Sequence, residues 1–458
     1  MDPLAAQLAR IKAKFPAARA ADEALAVFGA SSHCYVLRSP APEAALQQLE
    51  TSYGIRLPEA YRRFMGEVGN GGAGPFYGIY QLGKGLDEMC SQPELYLRQP
   101  CRLHPAMTSA QWQELTRPIE EDEDMSDDAF DHAMGGLYAG LLPLGTQGCT
   151  MLHALVLNGP FAGQVVNLEQ ERYLPSFAFE ATFLDWYERW LDEVVAGDLT
   201  QGGASWFGYN RGGPESALLD TFQTTAEASV RAECVTGLLG KRQVSQPVLQ
   251  ALAAFNPVGD ARLQLLIAQL LLRFDYAQGR LRLLALVPEN LLGVLQSVRW
   301  YAKSHSADWL PVIEANRDRI RDSETLRFAT YVLEETGADY GPLLAPFAAS
   351  PDYSQRITAL HALGKLPDKA RYLATFIAGL HDPEPSVVRT ALQAVHDLPN
   401  PELRPHYQSI AERYPEEKEY ILANLGHALK TQGLNLERLK RRNYGGSILG
   451  LGRFFRAK

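Results

Sequence analysis

Near residue 210 the hydrophobic pattern of the chain changes, and that change limits the fold more than any other feature. Before it, apolar residues recur at both helical and alternating spacing; after it, only the helical spacing remains, and it repeats. Ser354, Thr358, Ala359, Leu360 and Ala362 return 32 residues later as Ser386, Thr390, Ala391, Leu392 and Ala394. Weaker echoes fall at Ser229–Leu239, Ala261–Leu272, Thr325–Leu333 and Tyr420–Leu429. Helix pairs recurring every roughly 30–40 residues imply a stacked array, because one pair cannot bury its apolar face alone. The alanines of the repeated stretch let such helices approach closely. The 458 residues are therefore expected to form an α+β domain at 1–205, an all-α solenoid at 206–436 and a tail at 437–458.

Within the repeat, His381-Asp382-Pro383-Glu384-Pro385-Ser386-Val387-Val388-Arg389 resembles the junction of HEAT repeats, an acidic-proline turn leading into a helix. In the first part, Leu4, Leu8, Ile11 and Phe15 form one helical stripe within 4–28, which Pro16 is expected to break or bend. Leu46, Leu49 and Tyr53 share a second helix, and Tyr61, Phe64, Met65 and Val68 a third, stopped by Gly69. Short strands are predicted at Cys34–Leu37, Tyr77–Leu82, Leu141–Leu144, Met151–Leu157 and Gly163–Leu168, with Asn158-Gly159 as a turn. The stretch Phe177–Val195 reads as a closing helix. Residues 90–135 hold neither period and read as an insertion.

Glycines 69–85 imitate two nucleotide motifs. Gly69-Asn70-Gly71-Gly72-Ala73-Gly74 spells G-x-G-x-x-G, and Gly78 to Lys84 spells G-x-x-x-x-G-K. A phosphate cradle requires a strand before the loop and a helix after it, so that the helix N-terminus faces the phosphates. Here a helix precedes and a strand follows, and Gly85 stands where Ser or Thr would hold magnesium. The glycines Gly69, Gly71 and Gly72, with Asn70, are thus expected to be a structural turn into the sheet.

The run Ile55-Arg56-Leu57-Pro58, Tyr61-Arg62, Phe64 and Gly69-Asn70-Gly71-Gly72, followed by Gly74-Pro75, resembles the SUKH superfamily. Leu142-Pro143-Leu144-Gly145 and Phe183-Leu184-Asp185-Trp186-Tyr187 with Trp190 are similar to its later strand and closing helix, so the resemblance covers about 40–197. It implies a SUKH-like α+β domain, a mixed sheet with flanking helices, ahead of the all-α solenoid of HEAT-like helix pairs. It also implies a non-enzymatic role, since bacterial members are largely immunity proteins that neutralise polymorphic toxins of contact-dependent or type VI delivery.

Residues 1–200 hold 14 Lys and Arg against 27 Asp and Glu, and residues 201–458 hold 30 against 26. Neither part is a general nucleic-acid binder, and no direct nucleic-acid contact is expected. The densest acidic run, Glu120, Glu121, Asp122, Glu123, Asp124, Asp127 and Asp128, can imitate phosphate against the basic cleft of a nuclease or nucleotide-using toxin. Its bland reading is a solvated, partly disordered loop. It lacks the glycine of a calcium loop. Tyr77 and Tyr80, with Phe76, Trp186 and Trp190, are the aromatic candidates for an interface. Most such residues are core.

His104, His132 and His153 lack zinc-ligand spacing and read as isolated, and Cys149 reads as a small core residue. No cofactor and no metal are expected. Five scattered cysteines without a C-x-x-C pair, and no run of 18 apolar residues, point to a cytoplasmic chain without a membrane span. The tail, Arg438 to Lys458, mixes cations, glycines and aromatics. The expected partner is a cognate protein toxin bound by occlusion; the alternative is a regulatory protein-interaction scaffold without a toxin. The oligomeric state stays open.

Overall fold

A computed structural model describes residues 2–122, 124–200, 207–437 and 439. The chain divides into two compact units, Met1–Leu270 and Leu271–Lys458. The expected junction at 205/206 and nearly all of the tail lie outside the described residues.

The first unit opens with α1 (Pro3–Ala21), capped by the Asp2 side chain on Leu4 N. It runs through Pro16 without ending there, contrary to expectation. The helices α2 (Glu43–Tyr53) and α3 (Glu59–Glu67) follow, and α3 buries Tyr61, Phe64 and Met65. The sheet is a meander β1-β2-β3-β4, formed by Leu141–Gly148, Met151–Val156, Val165–Glu169 and Ser176–Phe177. It is antiparallel throughout rather than mixed, because each strand is joined to the next by a short connection.

Two predicted strands are only isolated bridges: Leu37 pairs with Gly72, and Gly72 with Ile79. Cys34 and Tyr35 take left-handed φ of 49° and 57°, and Gly78 takes 96°, so neither segment can extend.

Residues 90–135 also depart from expectation. They hold two packed helices, α4 (Ser109–Glu120) and α5 (Asp127–Leu137). A Thr108–Gln111 capping box starts α4, and Ser126 caps α5. The apolar stripe of α4 is Trp112, Leu115 and Ile119, interrupted by the buried hydroxyl residue Thr116 and by Pro118 just before Ile119, which hides its period. Asn158 anchors this region: its side chain accepts from Cys101 N at 2.8 Å and donates to Gln99 O at 2.9 Å.

The helix α6 (Phe183–Ala196) supplies the centre of the core. Trp186 and Trp190 are each 1% exposed, with Phe183, Tyr187 and Leu191 at 0%. Burying side chains of that size is worth roughly 1.5–3 kcal/mol each. They are core, not interface anchors, as is Phe76. The helices α7 (Glu215–Thr224), α8 (Ala228–Leu239) and α9 (Gln246–Ala254) follow in the same unit.

The second unit is helical throughout its described residues. Its helices of six or more residues that lie wholly within it are α10 (Tyr276–Leu286), α11 (Leu291–Tyr301), α12 (Leu310–Ala315), α13 (Ser323–Glu334), α14 (Tyr353–Gly364), α15 (Leu373–Leu380), α16 (Pro385–Val395), α17 (Leu403–Arg413) and α18 (Ile421–Thr431), with a single-turn helix at Gly341–Leu344 and short 3-10 turns between some of them. Within it, α11, α13, α14, α16 and α18 pack side by side in order, forming one layer. Their first residues recur at intervals of 30–36 positions. The repeated small residues Ala359, Ala362, Ala391 and Ala394 are buried between these helices, as the close-stacking argument requires. Arg356 holds Asp382 through two hydrogen bonds of 2.8 and 2.9 Å, and Arg413 donates to the Asp382 carbonyl, so the Asp382-Pro383 turn is gripped from both sides.

Candidate functional site

The glycine turn is built by side-chain and backbone bonds that leave no room for a phosphate cradle. Asn70 Oδ1 accepts from Leu82 N at 2.8 Å, closing the loop between them. Gly72 N donates to Ile79 O at 2.9 Å, and Ile79 N donates back at 2.8 Å. Arg38 N donates to Gly71 O, Ala73 N to Val36 O, and Tyr80 N to Leu144 O on β1. Residues 36–38, 71–73 and 79–80 therefore continue the sheet past its β1 edge. Gly71 and Gly72 have φ of 76° and 104°, and a Cβ on Gly72 would sit 2.5 Å from Val36 O. Gly69 is different: its φ is not positive, and its glycine is required by space, with Arg38 O only 2.9 Å from where a Cβ would be.

This extension walls a groove of about 520 Å³, lined among others by His33, Val36, Arg38, Tyr77, Tyr80 and Lys84. Val36 is 56% exposed and Tyr77 41%. Lys84 lies over the Tyr80 ring, 5.1 Å from its centre. The Tyr80 hydroxyl donates to Glu88 at 2.8 Å, and burial together with that carboxylate pushes its ionisation far up. Below the groove, Tyr35 stacks on Trp190 with centroids 5.8 Å apart, and His33 meets both edge-on. The Tyr35 hydroxyl donates to buried Asp22 at 2.8 Å. Burial lowers His33 to about 4, so its ring is neutral near pH 7. Cys34, Tyr35 and Phe76, all non-glycine, hold left-handed backbone in the two walls. Such residues cost on the order of 1–3 kcal/mol each and gather where a surface must keep one shape.

Of the sequence-predicted residues, Tyr77, Tyr80 and Gly72 meet in this groove. The acidic run does not line it. Glu120 is the last residue of α4, and Asp127 and Asp128 form the first turn of α5, where carboxylates favour the helix dipole. Glu120, Glu121, Asp122, Asp124, Asp127 and Asp128 are all exposed, and none forms an ion pair among the described residues. Glu123 lies outside the described residues. His33, Val36 and Arg38 were not singled out in the sequence as site residues, and Lys84 was named there only as the lysine of a rejected phosphate motif. Nothing in a linear pattern joins residues 32–38 to 77–84 when only single bridges hold them together.

His153 is fully buried between Phe76 and Trp186, whereas His104 is half-buried and His132 exposed; among the described residues the His153 ring has no hydrogen-bond partner. Cys149 is exposed in a left-handed turn rather than core. No group of three or more His, Cys, Asp or Glu that could hold a metal ion occurs among the described residues. No described helix is long and apolar enough to cross a membrane.

No curated protein matches the chain. Residues 40–189 match the family model described as SMI1 / KNR4 family (SUKH-1). The matched stretch runs from just before α2 into α6 and contains the glycine turn, the sheet and the Tyr77–Lys84 wall, while residues 32–38 of the opposite wall precede it. The chain thus carries a SMI1/KNR4 (SUKH-1) family domain at residues 40–189, followed by a long helical region.

Proposed function

We propose that the protein is a non-catalytic immunity protein that binds a polymorphic toxin, delivered by contact or by a type VI system, and covers its active site. The observation that carries this reading is the SUKH-1 domain at 40–189, because that family is generally associated with immunity proteins against polymorphic toxins and is typically non-catalytic. The groove supports it, since an exposed tyrosine and valine on a backbone fixed by glycine turns suit recognition. The described carboxylates of the acidic run, exposed and without an ion pair among the described residues, support a toxin with a basic cleft, a nuclease or nucleotide-using enzyme, met in the cytoplasm. The second unit is read as a HEAT-like array.

A second reading, a regulatory scaffold without a toxin, is favoured by one feature of that array. Trp300 is 58% exposed and packs edge-on with Phe328, which packs edge-on with Tyr331; Arg299 and Arg327 lie over the last two rings. Aromatic and arginine clusters of this kind are the usual anchors of protein contacts.

The test is protection. A toxic product encoded beside this gene is induced in cells with and without the protein. Survival only in its presence is expected; equal killing in both would leave the scaffold reading.

A further inference from the structure

We propose that the groove between residues 32–38 and 77–84 takes an acidic loop of the protein partner. A carboxylate sits between Arg38 and Lys84, and an apolar side chain beside it rests on Val36 and Tyr77. The inference rests on the reading of the first unit as a partner-binding module.

The first argument is charge. Residues 1–200 carry 14 cations against 27 carboxylates, yet the charged residues lining this groove are Arg38 and Lys84, with no carboxylate. The local sign is the reverse of its surroundings. The second is availability. Arg10, Lys14, Arg62, Arg63 and Arg189 of the same unit are each held by carboxylates. Among the described residues Arg38 and Lys84 form no ion pair, and both are exposed; Lys12, Arg19, Arg56, Arg98 and Arg102 are equally open, but of these exposed cations only Arg38 and Lys84 line the groove. Glu88 accepts a hydrogen bond from the Tyr80 hydroxyl and does not itself line the groove. His33 is neutral near pH 7, so the positive charge of the groove is that of Arg38 and Lys84.

The third argument separates a protein loop from nucleic acid. A polyanion would feel the whole acidic domain over its length, whereas one carboxylate within a few ångströms of two cations feels mainly those two. The exposed Val36 and Tyr77 add apolar area that a phosphate backbone cannot use.

The probes are three fluorescein-labelled ligands titrated into the full-length protein at about 50 mM salt. One is an end-blocked hexapeptide Gly-Leu-Asp-Glu-Leu-Gly, the second its Asn-Gln counterpart, the third hexathymidylate. The acidic peptide should bind about fivefold or more tighter than the amide peptide. That preference should vanish in the Arg38→Glu, Lys84→Glu double variant and shrink at high salt. Tyr77→Ala should weaken both peptides alike. Equal binding of the two peptides, no binding of the acidic one up to about 10 mM, or stronger binding of hexathymidylate would each overturn the proposal. None of these readouts needs the toxin, so a failure to find protection by the neighbouring gene product would strike the immunity reading and not this result.

Discussion

At the scale of single residues, the account turns on Gly72 and His153. Gly72 links two walls of the groove through one bridge on each side, at a φ no other residue adopts cheaply. Gly72→Ala adds left-handed strain and a contact with Val36 O at 2.5 Å. It should cost about 2 kcal/mol or more, read as a lower urea midpoint with unchanged slope. His153 makes a pH prediction. Burial alone lowers it to about 3, and burial also lowers His33 to about 4. The unfolded chain, with histidines near 6.5, therefore binds more protons than the folded one below that pH. Stability is full above about 6.5 and falls as pH drops toward 4, by up to about 1.4 kcal/mol per unit for each histidine. Denaturation at pH 7 and pH 5 should show that loss in the native chain, and a clearly smaller loss in His153→Leu. An equal loss in both would mean that His153 is not held neutral.

At the scale of elements, the array rests on close contact between small residues. A Cβ on Gly379 of α15 would lie 2.9 Å from Leu360 on α14 and 3.0 Å from Ala391 on α16. Gly379→Val should overpack that junction and cost about 1–3 kcal/mol, measurable by thermal unfolding of the full chain. Elements of this kind were legible in the sequence, because the repeat of Thr358-Ala359-Leu360 at Thr390-Ala391-Leu392 states both the period and the need for small side chains. The α3 stripe, the glycine turn and the three longer strands were legible for the same reason: each has a period or a turn residue of its own. The helices α4 and α5 were not, since Thr116 and Pro118 interrupt one stripe and Gly135-Gly136 dilutes the other; the cap residues Thr108 and Ser126 were the available signal. The strands expected at Cys34–Leu37 and Tyr77–Leu82 failed because positive φ at Cys34, Tyr35 and Gly78 overrides β propensity, and no residue type announces that at the two non-glycine positions. Half of the groove was hidden with them.

At the scale of the whole molecule, the account is that of an acidic first unit with a SUKH-1 domain and a second unit of packed helices. The acidic run and the groove are separate features of opposite sign, so on the proposed reading they meet different parts of the partner surface. Changing Glu120, Glu121, Asp122, Asp124, Asp127 and Asp128 to their amides should slow association about tenfold or more at low salt while changing dissociation little, because exposed charges act mainly on encounter. Stopped-flow kinetics at two salt concentrations would read this. The most direct measurement of the central claim is light scattering after size exclusion of the full-length protein mixed with the inactive form of the neighbouring gene product. The account predicts a one-to-one complex that survives dilution to nanomolar concentration and is weakened by Tyr77→Ala. Two separate peaks at micromolar concentration, with the target activity of the active form unchanged by the protein, would contradict it.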